Sequence, residues 1–209
     1  MINATSSSLA PGRTGACDDP DGPPLAADGE PPEPAAGRPT VLDIRVDPDR
    51  SGPPGPAIDV ARLRILVEKA IPASGLSVAR LGVLIVDDAR MTDLHIRHCG
   101  IDDTTDVLTF DASEPGGPID VDIAVCADEA ARRAATLGHA VERELLLYLV
   151  HGLLHCAGHD DHDDVAYEAM HAEEDRILES IGVGSTFHVR PAGHDAARTR
   201  SHRDAEPNG

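Results

Sequence analysis

Apolar and polar residues alternate or recur at helical spacing along the middle of the chain, and these patterns predict nine elements. Short apolar or alternating runs predict four strands: Val41–Val46, Arg80–Val86, Asp106–Phe110 and Ile119–Val125. Apolar residues three and four apart predict five helices: Ala57–Ile71, Ala89–His98, Ala127–Leu137, His139–Ala157 and a last helix that Asp163 or Asp164 caps and that runs through Ile181. Pro72 is expected to end the first helix and Asp88 to cap the second. This order predicts an α+β fold, with helices packed on a small sheet.

Both ends of the chain lack the large apolar residues that a core requires. Residues 1–39 are rich in Pro, Gly, Ala and Asp, and residues 186–209 have a similar polar composition. Such segments bury too little apolar surface to fold, so we expect two disordered tails around one domain of residues 40–185. His188, His194 and His202 are irregularly spaced and are interpreted as solvated tail residues.

The chain carries no sequence that predicts export or a membrane span. The N-terminus has no basic start followed by an apolar core, and no apolar run is long enough to cross a bilayer. None of the four cysteines forms a CxxC pair, which indicates free thiols. A cytoplasmic protein is therefore expected.

The formal charge of −19 is unusual for a protein that binds nucleic acid. Such proteins generally show a basic footprint that neutralises phosphates. A nucleic-acid-binding function then requires arginines clustered around a cleft, or binding inside a larger assembly.

One stretch, HGLLHCAGHDDHD at residues 151–163, carries the candidate chemistry. His151 and His155 are four apart on a predicted helix, so both imidazoles point the same way. Gly158 favours a left-handed turn after the helix, from which a third ligand can return to the pair. Two helical histidines, one ligand from the turn and an open fourth position are typical of a zinc site. Cys156 points about 100° away from His155 on such a helix and is interpreted as core packing.

This stretch has Gly152 at the position where the H-E-x-x-H helix of metalloproteases has a glutamate. Those enzymes need the glutamate at that position as a general base. Peptide hydrolysis by that mechanism is therefore not expected here.

The pattern H-G-x-L-H-x-x-G-x-D-H resembles that of the YbeY family, rRNA maturation factors described as metal-dependent, single-strand-specific endoribonucleases. Residues 105–110 (TDVLTF) are similar to the family's PTDVLSF segment, and residues 121–125 (VDIAV) fall where the family has a GDI-type strand. The resemblance covers roughly residues 41–184. It implies a zincin-like fold with a mixed four-stranded sheet and a metal site at one end of a cleft.

This chain departs from the family pattern around the third ligand. The family has five residues between its second and third histidines, whereas six separate His155 from His162. Either the turn bulges and His162 binds, or Asp161 takes the third place. His162 is favoured because imidazole is the more usual partner in such a set. His159 falls where the family often has an aromatic residue, and packing is expected for it.

The remaining candidate residues concern substrate contact, core packing and a second metal site. A family arginine aligns with Cys99, so the nearby Arg97 is the candidate for phosphate contact, and Thr104 replaces the family's proline. His95 could face the site or pack in the core, and packing is favoured from the residues alone. Asp120 and Asp122 share one face of a strand and are expected to face solvent rather than form a second metal site.

The resemblance implies an endoribonuclease with one Zn²⁺ held by His151, His155 and His162, acting on single-stranded RNA. The catalytic candidates are His151, His155 and Arg97. The implied roles are 16S rRNA 3′ end maturation and ribosome quality control, with components of the small ribosomal subunit as partners. Two alternatives remain: a non-catalytic assembly factor stabilised by its metal, and another metallohydrolase with a peptide or ester substrate. Metal removal should unfold the domain only if the metal is structural.

Overall fold

Four strands form one mixed sheet in the order β1-β2-β4-β3. The computed structural model describes residues 39–48 and 57–185. In these ranges the elements are β1 Val41–Val46, α1 Val60–Ser74, β2 Val78–Val86, α2 Asp88–Cys99, β3 Val107–Asp111, β4 Ile119–Cys126, α3 Ala127–Leu137, α4 Val141–Cys156 and α5 Asp164–Ser180. The predicted α+β class and the order of elements are confirmed. The predicted tails lie outside the described residues, apart from residue 39, so the domain limits stay a prediction.

The sheet carries a different hydrophobic cluster on each of its faces. β1, β2 and β4 pair in parallel, and β3 runs antiparallel to β4 at the edge. Because side chains alternate along a strand, every second residue of β2 and β4 points to the same face. That face packs against α1, α4 and α5 through the larger cluster, whose strand residues include Leu81, Val83, Ile85, Val121, Ile123 and Val125. The opposite face is covered by α2, where Met91 packs with Val86, Ala124 and Cys126.

The helix α4 is buried along most of its length. Leu145, Leu146, Leu149 and Leu154 are each at most 1% exposed. Full burial of one such side chain is worth roughly 1.5–3 kcal/mol, so α4 is firmly held between the sheet and the neighbouring helices. The histidines near its C-terminal end therefore project from a rigid support.

Two expectations about helix ends are wrong. Pro72 lies inside α1, in its last turn and on the exposed side, so the carbonyl of Glu68 that loses its partner can bind water. The cap of α2 is Asp87, whose carboxylate accepts a hydrogen bond of 2.9 Å from the Arg90 N–H, and Asp88 is the first helical residue. Asp163 caps α5 as predicted.

No helix in the described part of the chain has the length and apolar character that a membrane crossing requires.

Candidate metal centre

The last two turns of α4 bring His151 and His155 together. Their Nε2 atoms lie 3.1 Å apart, and their rings meet edge to face. The side chain of His151 is 11% exposed and that of His155 is 22% exposed. The pair is therefore largely enclosed, and the predicted orientation on one helix face is confirmed.

A buried carboxylate on α5 orients His151. Glu174 is 1% exposed, and its Oε1 accepts a 2.7 Å hydrogen bond from His151 Nδ1. Its second oxygen accepts a 2.5 Å hydrogen bond from Nδ1 of the buried His171. With Nδ1 donating to Glu174, the Nε2 lone pair of His151 faces His155, which is the arrangement of a carboxylate–histidine–metal triad.

The imidazole–carboxylate contacts shift the ionisation of both partners. Burial acts to lower the pKa of His151, but the hydrogen bond with Glu174 and the nearby carboxylates raise it above its usual value. Burial acts to raise the pKa of Glu174, but the hydrogen bonds from His151 and His171 lower it. Burial and the neighbouring His151 together lower the pKa of His155, which favours the neutral form that binds a metal.

The turn after α4 orients His155 and returns the chain to the pair. Gly158 has φ +91°, the left-handed conformation predicted for it. The carbonyl of His159 accepts a 3.1 Å hydrogen bond from His155 Nδ1, while the side chain of His159 is exposed. The prediction that His159 packs is therefore wrong, and its backbone is the part that contacts the site.

Asp161, and not His162, lies against the histidine pair. Its carboxylate oxygens are 3.9 Å from Nε2 of His151 and 3.9 Å from Nε2 of His155. The described residues contain two groups that are able to hold a metal ion: one joins His151, His155 and Asp161, and the other joins Asp160, Asp161 and His162. The His162 side chain is 61% exposed, and its Nδ1 contacts Asp160. A ligand role for His162 stays a prediction.

The TDVLTF segment contributes a partly buried carboxylate whose charge acts on the pair. Asp106 precedes β3, and its backbone carbonyl accepts a 2.8 Å hydrogen bond from the N–H of Cys126 at the end of β4. Burial raises the pKa of Asp106, and its charge interacts with His151. The two stretches that carry the family resemblance therefore meet at one place in the fold.

Gly152 lies where α4 packs closely against the sheet. A Cβ atom there would lie 2.8 Å from Thr109 Oγ1 on β3 and 3.0 Å from Ile123 Cδ1 on β4. A larger side chain fits at this position only if these two side chains or the helix move. The packing around Gly152 is therefore consistent with the absence of the glutamate that the metalloprotease mechanism requires.

Arg97 is not brought to the histidine pair by any contact in the described residues. It lies on α2, which covers the opposite face of the sheet, and its guanidinium pairs with Asp93 at 2.8 Å. Its side chain is 61% exposed. Cys99, which aligns with the family arginine, is a partly exposed free thiol at the end of the same helix.

The remaining candidates behave mostly as expected. His95 is 4% exposed, with Nδ1 hydrogen-bonded to the Asp103 carbonyl, so its packing role is confirmed. Cys156 packs against the larger core cluster. Asp120 and Asp122 face solvent as predicted and pair with Arg80 at 2.6 and 2.7 Å, although β4 is an interior strand and not an edge.

Sequence reasoning missed Asp106, His171 and Glu174. A usable signal existed for Glu174, because Met170, Glu174 and Ile177 recur at spacings of four and three on one face of α5. An acid at an apolar helical position requires a buried partner. Asp106 gave no comparable signal, since its burial depends on how β3 meets the other elements.

The donor set suits a transition metal. Two imidazole nitrogens and one carboxylate, all with ligand atoms within 4.8 Å of one another, form a set that zinc accepts and that manganese or iron also tolerates. The surrounding carboxylates of Asp106 and Glu174 add negative charge that favours a cation. The residues present therefore fit a divalent metal ion.

Known proteins resemble this chain across its central part. The family model described as endoribonuclease YbeY matches residues 57–182. A protein named endoribonuclease YbeY from Chelativorans sp. is 40% identical over 142 residues, which cover 63% of this chain and 86% of the relative. One of the same name from Mycobacterium tuberculosis is 38% identical over 112 residues, which cover 48% of this chain and 63% of the relative. A solution structure of a Thermotoga maritima protein has 23% sequence identity and a TM-score of 0.45, and the match covers 72% of this chain and 99% of that one.

Proposed function

This chain belongs to the endoribonuclease YbeY family, and we propose that it is itself a metal-dependent endoribonuclease that cleaves single-stranded RNA. One observation carries the proposal: two imidazole Nε2 atoms 3.1 Å apart meet a carboxylate at the C-terminal end of a rigid helix. Such a set supports hydrolytic chemistry at a divalent ion that keeps an open position.

We propose that His151 and His155 hold one zinc ion together with a ligand from the turn after α4. Zinc, when bound, supplies Lewis-acid chemistry, because it polarises a phosphate oxygen and lowers the pKa of water. Glu174 fixes the tautomer of His151, and the carbonyl of His159 does the same for His155. The chain's own contribution is therefore to aim the Nε2 atoms of both histidines at one point.

The acidic character of the site suits the ion more than the RNA. Asp106, Asp161 and Glu174 surround the pair with negative charge, so the site attracts a divalent cation before it can accept a phosphate. Arg97, with its 61% exposed guanidinium, is the proposed phosphate contact.

Ribosomal RNA is the proposed substrate, with 16S rRNA 3′ end maturation and ribosome quality control as the processes served. Components of the small ribosomal subunit would then be the partners, and the cytoplasm the place of action. Binding within a ribosomal assembly accounts for RNA recognition by an acidic chain, because the assembly supplies the basic surfaces.

Cleavage of a labelled single-stranded RNA tests the proposal. Four samples are compared: purified protein, protein stripped by a chelator, stripped protein given zinc again, and His155→Ala. Cleavage is expected in the first and third samples only, and a duplex of the same sequence should stay intact. Equal cleavage by all four samples would mean that the activity is not that of this site.

The alternative of a non-catalytic assembly factor predicts a different result. If the metal only stabilised the fold, chelation would abolish the helical circular dichroism signal. The leucines of α4 are buried in the main hydrophobic cluster, which forms without the metal, so we expect the stripped protein to remain folded.

A further inference from the structure

The turn after α4 encloses the side chain of Asp161 and leaves that of His162 exposed. The Asp160 carboxylate accepts hydrogen bonds from the backbone N–H groups of Asp161, at 2.8 Å, and His162, at 3.2 Å. Such an Asx turn fixes the local backbone. The Asp161 side chain is left 7% exposed and that of His162 61% exposed.

The Asp161 carboxylate lies at the distance that a shared ion would span. Its oxygens are 3.9 Å from one ring nitrogen of each of His151, His155 and His162, beyond hydrogen-bonding distance. Two ligand atoms bound tetrahedrally to one zinc ion lie about 3.4 Å apart, given bond lengths near 2.1 Å. Closing the gap to the His151 and His155 nitrogens requires a shift of about half an ångström, which a side chain on a turn can make.

The enclosure of Asp161 favours the same conclusion. A carboxylate removed from water is costly unless a charge or hydrogen bonds compensate for it. A cation between Asp161, His151 and His155 compensates for it directly. For His162 to bind instead, its exposed ring would have to leave Asp160 and turn toward the histidine pair.

We propose that Asp161 is the third protein ligand, so that this chain holds its metal with two histidines and one aspartate. This inference rests on the metal site of the proposed function and deepens it. An aspartate in place of a third imidazole adds a negative charge to the ligand set, so the site neutralises half of the charge of a divalent ion. His162 is then a residue of the outer surface of the turn.

Metal binding measured without RNA tests the assignment. Zinc affinity is determined by competition with a chromophoric chelator for the wild-type protein, Asp161→Asn, His162→Ala and His155→Ala, with circular dichroism to confirm that each is folded. Asparagine keeps the shape of aspartate and removes its charge. Asp161→Asn should lose more than the ~10–100-fold that removal of an outer-shell partner costs, as should His155→Ala, and His162→Ala should stay within about threefold of wild type.

The absorption spectrum of the Co²⁺-substituted protein gives a second readout. The visible bands should change in energy and intensity in Asp161→Asn and stay the same in His162→Ala. The assignment is overturned if His162→Ala loses the metal while Asp161→Asn retains it, or if both retain it. If the assignment holds and zinc-loaded wild-type protein leaves single-stranded RNA uncut, the proposed function fails by itself.

Discussion

Two opposing physical effects decide whether Gly152→Ala raises or lowers the stability of the protein. Alanine in a helix interior is ordinarily more stable than glycine by about 0.5–1 kcal/mol, because glycine loses more backbone entropy on folding. In α4 the added methyl group would lie 2.8 Å from Thr109 Oγ1 and 3.0 Å from Ile123 Cδ1, closer than real Cβ contacts come. Overpacking of this kind typically costs about 1–3 kcal/mol.

The two effects leave a net loss for Gly152→Ala. We expect the free energy of unfolding of the metal-free protein to fall by about 1 kcal/mol, measured by urea denaturation followed by circular dichroism. Either the Thr109 and Ile123 side chains or α4 itself must shift to accept the methyl group, and a shift of α4 should lower zinc affinity as well. Ala169→Gly, at an exposed position inside α5, measures the propensity effect alone and should cost about 1 kcal/mol.

A double-mutant cycle identifies the contact that is responsible. Thr109→Ala removes the nearest atom, so adding it to Gly152→Ala should recover part of the lost stability, with a coupling energy of at least about 0.5 kcal/mol. A Gly152→Ala protein that is more stable than wild type and binds zinc equally well would refute the reasoning. The presence of glycine at position 152 would then not be explained by the close packing of α4 on the sheet.

Three further outcomes are expected. Glu174→Gln should lower zinc affinity by about 10–100-fold with little loss of fold, because His151 loses the carboxylate that orients it. The control is Glu173→Gln, which disturbs the ion pair with Arg176 and should leave zinc affinity unchanged. Equal zinc affinities of the two variants in a chelator competition would remove Glu174 from the site. Arg97→Ala should raise KM for single-stranded RNA without changing zinc affinity. Its control is Arg45→Ala, which removes an exposed arginine from β1 at the edge of the sheet. Unchanged cleavage kinetics in Arg97→Ala would exclude Arg97 as the phosphate contact. Asp88→Asn should lower the free energy of unfolding by up to about 1 kcal/mol at neutral pH, because Arg132 holds the pKa of Asp88 below its usual value. The difference from wild type should vanish as the pH falls through that lowered pKa. A loss of stability that persists in acid would contradict the ion-pair explanation.

The order of elements was predictable because apolar periodicity is a local property of the chain. The limits of α3 were predicted without error, and β1 likewise, since each begins and ends where the pattern changes. Pro72 was misjudged because a proline breaks a helix only where the lost hydrogen bond cannot be replaced, and exposure depends on the tertiary structure.

The candidate site was predictable only in part. The spacing of His151 and His155 fixes their common face on any helix, so the pair followed from the sequence. Their outer partners did not, because Glu174 lies 23 residues from His151 and meets it only through the packing of α5 on α4. Long-range contacts of this kind leave only indirect traces, such as a charged residue at an apolar helical position.

The third ligand shows why spacing alone is insufficient outside a regular element. On a helix, a change of one residue rotates a side chain by about 100°, and the geometry is calculable. In a turn the direction depends on which backbone groups are bonded, and here the Asp160 carboxylate binds the N–H groups of both residues that follow it. The preference for imidazole ligands favoured His162 from the sequence, whereas the turn places the Asp161 carboxylate 3.9 Å from Nε2 of both histidines of the pair, which is the reason that we propose Asp161. Residue type therefore predicts what a metal prefers, whereas the backbone decides which preferred residue reaches it.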